Sequence, residues 1–459
     1  MGERIELTIT SLGAHGEGVG RVGNLVAFVD GALPGDRVAA RVDDVRDRYV
    51  RARLDELLEP SADRRPPPCS VADRCGGCPL MALEPEAQRR AKRNRMVEVL
   101  HRIGHLPDVV VEPVLTAPAA PGGDPSLGYR AKAAMPVGAS PDGLRVGFYG
   151  RRSHDLVDAA GCPVTDPRAL EVVAAVRDSA AALALPAYDE RTGRGFVRHI
   201  VVRVARATAD RLAVIVTAGP GHPGFDRLPA DVMARLPDLT CLAQSVQPER
   251  SNRILGTRPP RILAGRPTIE ERIGPLVLEL SPTAFFQVNP AVAEAMYARA
   301  IEELHLRGGE RVVDAYCGVG AIGLWAKAAG AGSVRGFETS AEAVADARRN
   351  ARRNGLAAEF EVGPAETLYP RRYASGRGPD RVVLDPPRTG CAPALLDALR
   401  AAPPERLVYV SCSPETLARD LRRLCDGGRF VVERVVPVDL FPQTAHLEAI
   451  AVLRSLGRG

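Results

Sequence analysis

Hydrophobic and polar residues alternate along the first sixty positions of the chain, which predicts short β-strands. The segments ERIELTITSL, LVAFVD and DRVAARVDDV each follow this two-residue period, and glycine-rich turns separate them. The three consecutive prolines of ADRRPPPC cannot continue a strand ladder. Residues 1–60 are therefore predicted to form a small β module that ends before this break.

A different pattern begins at about residue 271, where apolar strands alternate with helices. The segments RVVDAYCG, SVRGFE, AEFEVG, RVVLDPPR, RLVYVSC, FVVERVVPVD and EAIAVLR are predicted to be seven strands. Helical segments such as SAEAVADARRNARRNG and SPETLARDLRRL separate most of them. This alternation predicts an α/β fold over residues 271–459, with a mostly parallel, doubly wound sheet. Ligands of such sheets bind beyond the carboxyl ends of the strands.

The residues between these two regions, 61–270, have a mixed pattern and are predicted to form a central α/β domain. Strand-like runs such as RHIVVRVAR and RLAVIVTAG lie in this region. The segment EPEAQRRAKRNRMVEVLHRIG predicts a helix with a basic face, formed by Arg89, Arg90, Lys92, Arg93 and Arg95.

Composition and charge add a few limits. The 459 residues are 45% hydrophobic and 25% charged, the balance of an ordinary globular protein. No apolar run approaches the ~18 residues of a membrane span, and the first residues lack a signal-peptide pattern. We therefore expect a cytoplasmic protein without a membrane partner. The net charge of +5 favours a nucleic-acid partner only weakly. The basic segment RDRYVRAR fits either a solvated strand pair or a phosphate-binding strip with Tyr49 as a stacking platform.

Four cysteines are candidate ligands of one metal centre. Cys69, Cys75 and Cys78 lie on a glycine-containing loop with the spacing C-x5-C-x2-C, and Cys162, in AAGCPV, is a fourth candidate. Three or four thiolates on such a loop suit a [4Fe–4S] cluster or a structural zinc ion. The spacing does not choose between the two metals, although the proline after Cys78 and after Cys162 favours iron–sulfur. The alternative is a set of unrelated free thiols.

The segment VVDAYCGVGAIGL has the pattern of a nucleotide-binding strand, turn and helix. The strand ends at Asp314, and the turn carries Gly318 and Gly320. Glu338 ends the next strand, where a carboxylate can accept hydrogen bonds from both ribose hydroxyls. The loop does not match G-x-G-x-x-G, so S-adenosylmethionine is favoured over a dinucleotide. A dinucleotide oxidoreductase, or Glu338 as a surface carboxylate, stays as an alternative.

The segment YVSCSPETLARD suggests that Cys412 is a nucleophile. Ser413 can cap the helix that follows, and Pro414 suits its first position. The helix dipole would favour a thiolate at Cys412, although a buried inert thiol is the alternative. Glu448 is the last polar residue before an apolar strand, where partial burial would raise its pKa. Asp385, in LDPPRTG, ends the fourth predicted strand, beside the expected methyl donor.

These groups suggest methylation of uracil carbon 5. A thiolate that adds to carbon 6 produces an enolate, and carbon 5 of the enolate can attack a methyl sulfonium. A base then removes the carbon 5 proton, and the thiolate is eliminated. Arg388 follows the Asp-Pro-Pro sequence, where amino-methyltransferases have an aromatic residue, so amine methylation is disfavoured.

The whole pattern resembles the RNA uracil carbon-5 methyltransferases, which make 5-methyluridine in tRNA and 23S rRNA. Residues 3–59 resemble the TRAM domain, an RNA-binding β-barrel. CSVADRCGGC with GCPV resembles the family's four-cysteine [4Fe–4S] site. YRAKAAMPV and GFYGRRSHDLVD resemble its central-domain signatures. FFQVNP, DAYCGVG, DPPRTG, YVSCSP and FPQTAHLE resemble its catalytic motifs in the same order.

The resemblance implies a role for each matched position. Cys412 would be the nucleophile and Glu448 the base, while the S-adenosylmethionine site would be lined by Gln287, Tyr316, Glu338 and Asp385. Ala321 and Pro364 stand where the family often has polar residues that contact the cofactor. The implied fold is a class I methyltransferase domain at 271–459, preceded by the TRAM domain and the central domain.

The TRAM domain and the cysteine site are most similar to the 23S rRNA branch, with tRNA as the alternative substrate. We expect a monomer, because one chain carries its own RNA-binding modules. Two other functions are weighed against this one. A radical methylthiotransferase would need C-x3-C-x2-C, which is absent. A non-catalytic RNA-binding protein with a decayed site is disfavoured because Cys412, Glu448 and Asp385 are all present.

Overall fold

The computed structural model of the chain describes residues 2–118, 124–141, 143–373 and 378–456. The N-terminal residues form a closed barrel, in which the strand order is β1-β2-β3-β5-β4. Its inward side chains are small or branched apolar residues such as Ile9, Val29 and Val38, and charged side chains alternate with them on the outside. The strands are β1 (Arg4–Leu12), β2 (Gly18–Val22), β3 (Leu25–Asp30), β4 (Arg37–Val45) and β5 (Tyr49–Glu59).

The basic segment at the start of β5 lies on the surface of the barrel. The Arg51 guanidinium lies 5.6 Å from the centre of the Tyr49 ring. Arg46 pairs with Asp44 at 2.9 Å, and Arg53 pairs with Asp43 at 3.6 Å. Because acidic partners accompany these arginines, the segment is a mixed-charge surface around one aromatic ring.

A long helix, α1 (Pro85–Arg102), and a short strand, β6 (Val110–Val111), follow the barrel. The helix was predicted, but its predicted basic face is wrong for two residues. Lys92 is fully buried and donates to Asp439 Oδ1 at 2.5 Å and to the Phe441 carbonyl at 3.1 Å. Arg95 is also buried and donates to Glu415 at 2.6 Å. This helix is therefore docked onto the C-terminal sheet region through buried charges.

The central residues form a seven-stranded sheet in the order β13-β12-β11-β10-β7-β8-β9, among the described residues. Valine and isoleucine side chains of β10 and apolar residues of α2 share one core. The elements are β7 (Lys132–Ser140), β8 (Gly143–Tyr149), β9 (Leu156–Asp158), α2 (Pro167–Ala182), β10 (Val197–Val204), β11 (Arg211–Thr217), α3 (Leu228–Arg235), β12 (Cys241–Val246) and β13 (Arg261–Gly265). A hairpin of two strands, β14 (Ile269–Ile273) and β15 (Leu276–Leu280), follows this sheet and precedes the C-terminal sheet in the chain.

The C-terminal residues form the predicted doubly wound sheet, in the order β18-β17-β16-β19-β20-β22-β21-β6. The strands are β16 (Arg311–Ala315), β17 (Ser333–Glu338), β18 (Glu359–Val362), β19 (Arg381–Leu384), β20 (Arg406–Ser411), β21 (Phe430–Val438) and β22 (Glu448–Ser455). The helices are α4 (Pro290–Glu303), α5 (Ala321–Ala328), α6 (Ala341–Arg353), α7 (Ala365–Tyr373), α8 (Pro393–Ala401) and α9 (Pro414–Cys425).

This sheet differs in one respect from the expected seven strands. All seven occur, but β6 adds an eighth in the described residues by pairing in parallel with β21. β6 has only two residues, too few to show a two-residue period in the sequence. It also comes from the region assigned to the central domain. No helix in the described residues is long and apolar enough to cross a membrane.

Candidate active site

The glycine turn after β16 forms the floor of a large cavity. Tyr316 adopts a left-handed conformation with φ of +69°, as do Gly318 and Gly320, so the chain turns sharply between β16 and α5. The Gly318 N–H donates to Glu338 Oε2 at 3.2 Å, and the Ser340 N–H donates to Glu338 Oε1 at 2.8 Å. The carboxylate at the end of β17 is therefore fixed against the turn.

Cys412 lies immediately after β20, at the start of α9. The Ser413 hydroxyl accepts from the Thr416 N–H at 3.4 Å, and Pro414 occupies the first turn, which confirms the predicted helix start. Burial, together with the nearby carboxylates of Glu448 and Asp385, raises the pKa of the Cys412 thiol to about 11. The expectation that the helix terminus favours a thiolate is therefore wrong for the protein without substrate, because burial and two anions outweigh the dipole.

Glu448 is the first residue of β22 and is only 7% exposed. Burial, and to a lesser extent the neighbouring Asp385, raises the pKa of Glu448 to about 8, which confirms the predicted direction. Burial also raises the pKa of Asp385 to about 7. Arg388 acts in the opposite direction and lowers the pKa of both Cys412 and Glu448. The site thus holds groups that exchange protons near neutral pH.

Two buried residues that the sequence did not single out complete the interior wall. Tyr297, on α4, lines the cavity together with Gln287, and burial raises the pKa of its hydroxyl. Asp314 accepts from the Gly323 N–H at 2.8 Å through Oδ2, while its buried Oδ1 has no hydrogen-bond partner. Burial raises the pKa of Asp314 to about 7. A free acceptor at the cavity wall is suited to a donor group of a bound cofactor.

All six predicted catalytic and cofactor residues line one cavity of about 800 Å³. This volume lies within the usual range for small-molecule sites. Ala321 also lines the cavity and offers no side-chain polar atom. Other lining residues not predicted for the site include Phe286, Phe441 and His446. The six predicted residues are Gln287, Tyr316, Glu338, Asp385, Cys412 and Glu448.

The four predicted metal-binding cysteines, Cys69, Cys75, Cys78 and Cys162, line a second, smaller cavity. The Gly77 N–H donates to Cys75 Sγ at 3.4 Å, and the Thr165 hydroxyl donates to Cys162 Sγ at 3.3 Å. Burial, together with the neighbouring thiols, raises the pKa of Cys78 to about 12. The four thiols are therefore brought together. Across the described residues, however, no three histidine, cysteine or acidic side chains are grouped closely enough to hold a metal ion.

A cavity bounded by a glycine turn, with a carboxylate on the neighbouring strand, is typical of the S-adenosylmethionine sites of class I methyltransferases. Profile comparisons agree with this class. The TRAM domain profile matches residues 1–54, the methyltransferase small domain profile matches residues 294–388, and the tRNA (Uracil-5-)-methyltransferase profile matches residues 377–455. The predicted TRAM barrel is confirmed.

Two full-length relatives are described as uncharacterized RNA methyltransferases. The one from Halalkalibacterium halodurans is 40% identical over 98% of this chain and 96% of its own length. The one from Nostoc is 39% identical over 98% of this chain and 96% of its own. The crystal structure of Pyrococcus abyssi tRNA (uracil-54, C5)-methyltransferase with S-adenosyl-L-homocysteine matches with a TM-score of 0.77 and 27% identity, over 98% of this chain and 100% of that chain. The chain therefore belongs to the S-adenosylmethionine-dependent RNA (uracil-C5)-methyltransferases.

Proposed function

We propose that this protein forms 5-methyluridine in RNA, with Cys412 as the nucleophile and Glu448 as the base. One observation carries the proposal: the thiol and two carboxylates with raised pKa values line the same cavity as the glycine turn. A methyl donor and a uracil ring can therefore meet the thiol and the base in one enclosed place.

The proposed reaction assigns one change to each group. The Cys412 thiolate bonds to carbon 6 of a flipped-out uracil, and the electron pair of the carbon 5–carbon 6 double bond forms an enolate. Carbon 5 then takes the methyl group that S-adenosylmethionine would supply when bound, and the electron pair of the broken methyl–sulfur bond would stay on the sulfur. The Glu448 carboxylate accepts the carbon 5 proton, and the electron pair of that bond expels the Cys412 thiolate. Because both groups act in their charged forms, Arg388 favours the reaction by lowering both pKa values.

Four residues are proposed to hold the cofactor. Glu338, fixed by the Gly318 and Ser340 N–H groups, would accept from ribose hydroxyls. Gln287, Tyr316 and Asp385 would line the rest of the site, and Asp385 is near enough to Cys412 and Glu448 to affect their pKa values.

We propose 23S rRNA as the substrate, because the TRAM barrel and the four cysteines resemble that branch of the family. tRNA is the second candidate, since the Pyrococcus abyssi neighbour is a tRNA (uracil-54, C5)-methyltransferase. The proposal includes a cytoplasmic monomer. To test substrate and reaction together, the protein would be incubated with S-adenosylmethionine and transcripts of each RNA, and 5-methyluridine would be measured by mass spectrometry of nucleosides. We expect 5-methyluridine to form in 23S rRNA alone. Its formation in tRNA alone would make tRNA the substrate.

We also propose that Cys69, Cys75, Cys78 and Cys162 bind a [4Fe–4S] cluster, with zinc as the alternative metal. The support is the donor set itself, four thiols around one small cavity. When bound, the cluster would cross-link the cysteine loop to the turn that carries Cys162. Metal analysis of the purified protein should give iron and sulfide, and Cys78→Ser should lose them. The matched control is Cys425→Ser, in α9, which should retain them. Retention of iron in Cys78→Ser would contradict the assignment.

A further inference from the structure

A third cavity lies in the central domain, and its lining residues are all different from those of the active site. Its volume is about 460 Å³, within the range of small-ligand sites. It lies where the loop before β10 folds over the ends of β7 and β8. None of its residues has a part in the reaction proposed above.

A β-bulge directs two polar side chains into this cavity. The pairing of β10 with β11 shifts register between Val197 and His199. In a regular strand, consecutive side chains point to opposite faces, but here Arg198 and His199 both line the cavity. Bulges occur often beside functional sites, where they redirect a side chain.

Both side chains carry buried polar atoms without partners. Arg198 is 7% exposed, and its Nη1 donates to the Gln247 carbonyl at 2.6 Å and the Glu249 carbonyl at 2.8 Å. Its Nε, and Nδ1 of His199, are buried and make no hydrogen bond. Burial also lowers the pKa of His199 to about 4, so its ring is neutral at physiological pH.

Aromatic rings and outer cations complete the cavity. The Arg198 guanidinium lies 4.3 Å from the centre of the Tyr188 ring, which fixes that ring as a wall. Tyr149 forms another aromatic part of the lining, and Arg145 and Arg191 lie at the edge. The Arg191 side chain is 92% exposed. Flat aromatic walls, buried hydrogen-bonding atoms and outer arginines match the base, base edge and phosphate of a nucleotide.

Three acidic residues, Asp155, Asp189 and Glu190, line this cavity, and the last two are already engaged. Glu190 Oε1 lies 2.6 Å from Nδ1 of His154. Asp189 accepts from the Arg191 N–H at 2.8 Å and so closes the turn in which it lies. These two carboxylates therefore oppose a phosphate less than free carboxylates would.

We propose that this cavity binds a second unpaired nucleotide of the RNA substrate, distinct from the uridine that is methylated. The inference rests on the proposed function in one respect: the substrate must be an RNA from which a base is extruded. Removing one base from a stack leaves its neighbours unstacked, and an aromatic pocket elsewhere on the protein can hold one of them. Tyr188 is then a residue that determines which RNA is bound.

The test is RNA affinity, measured by fluorescence anisotropy with a labelled transcript of 23S rRNA or tRNA, whichever the wild type binds more tightly. Loss of one stacked base costs about 1–3 kcal/mol, so Tyr188→Ala should raise Kd about tenfold or more. Tyr188→Phe keeps the ring and should bind within about twofold of wild type. Binding of S-adenosylmethionine should be unchanged in both, and the melting temperature of Tyr188→Ala shows whether it stays folded after losing the ring that packs on Arg198.

A matched pair of arginines tests the outer contact. Arg191→Ala should raise Kd and reduce its dependence on salt, because a phosphate contact is lost. Arg235→Ala removes another exposed arginine of this domain, paired with Asp231, and should leave Kd unchanged. An unchanged Kd in Tyr188→Ala, or equal loss in Tyr188→Phe and Tyr188→Ala, would overturn the proposal. A wild type that binds RNA but makes no 5-methyluridine would refute the proposed reaction while leaving this test intact.

Discussion

The ionisation of Cys412 depends on the charge of Glu448. Glu448 is buried and Cys412 is half-buried, and the Glu448 carboxylate raises the pKa of the Cys412 thiol. The first proton lost on raising the pH therefore belongs to the carboxyl, and the thiol is harder to ionise once that charge is present. At neutral pH the protein without substrate holds a protonated thiol.

Removing the charge at position 448 should make Cys412 more reactive toward alkylation. In Glu448→Gln the repulsion is lost, so the Cys412 pKa falls and the rate of reaction with iodoacetamide at pH 8 rises, about tenfold for each pKa unit. The rate would be followed on the Cys412 peptide by mass spectrometry. Cys425 is the internal control, because burial alone raises the pKa of its thiol to about 11. A slower reaction at Cys412 in Glu448→Gln would contradict the electrostatic account.

The pH dependence of methylation should follow Glu448 and Cys412. The base acts as its carboxylate and the nucleophile as its thiolate, so kcat/KM should rise with pH through the Glu448 pKa of about 8 and continue to rise toward the Cys412 pKa of about 11. Arg388 lowers both pKa values, so Arg388→Gln should move the profile to higher pH. Initial rates measured between about pH 6 and pH 9 decide this. A flat profile over that range, or a midpoint near the ordinary glutamate pKa, would be inconsistent with Glu448 as a buried base.

The identities of these residues could be predicted from the sequence, but the pKa direction for Cys412 could not. Ser413 and Pro414 indicate the start of α9 from the local sequence, and in the structure they are its cap and its first residue, as expected. The neighbours that raise the thiol pKa, Asp385 and Glu448, come from other strands. Tyr297 was missed for the same reason, since in the sequence it is only one apolar position of α4.

At the scale of elements, helix α1 and the loop between β21 and β22 are locked together through two glutamines. Gln88 Nε2 donates to Gln443 Oε1 at 2.8 Å, and the Gln443 N–H donates to Gln88 Oε1 at 2.9 Å. Gln443 is fully buried and has a φ of +69°. The Leu80 N–H, near the cysteine loop, donates to the Gln443 carbonyl at 3.0 Å. This loop leads directly into Glu448, so the glutamine pair holds the base in position.

Breaking the glutamine pair should lower stability and slow proton removal. Gln443→Met removes the side-chain amide that accepts from Gln88 Nε2 and donates to the Ser126 hydroxyl, and should cost about 1–3 kcal/mol of unfolding free energy. Gln88→Met should have a similar cost, and the double variant should cost less than the sum because the two changes are coupled. Urea unfolding measures these costs. In single-turnover methylation, Gln443→Met should accumulate the covalent RNA adduct, since thiol attack does not need this loop. The proposed role of the glutamine pair would be refuted if the two unfolding costs were additive and the covalent RNA adduct did not accumulate.

The elements themselves were predictable where the period was long enough to be read. The seven strands and the helix at 85–102 follow from apolar spacing alone. β6 was not predicted because it has only two residues. The buried side of α1 was not predicted because Lys92 is paired with a residue 347 positions away in the chain, which no local pattern can indicate.

At the scale of the whole molecule, one small core joins three parts of the chain. Leu12 and Leu33 of the barrel region pack with Leu80 and Leu83, which follow the cysteine loop, and with Ala445 of the loop before Glu448. The barrel, the cysteine loop and the catalytic base are thus tied at one point. RNA held by the barrel would therefore lie near the residues that act on the uracil.

The most direct test of the account is a covalent adduct on 5-fluorouridine-substituted RNA. Fluorine replaces the hydrogen on carbon 5 that Glu448 would remove as a proton, so the bond between Cys412 Sγ and carbon 6 should persist after methyl transfer. With S-adenosylmethionine present, the wild type should give a shifted band on a denaturing gel, and its tryptic digest should carry the nucleotide on the Cys412 peptide. Cys412→Ala should give no band, while Cys391→Ala should resemble the wild type. A band that survives in Cys412→Ala, or wild-type methylation of ordinary RNA without any adduct on the fluorinated RNA, would contradict covalent catalysis by Cys412.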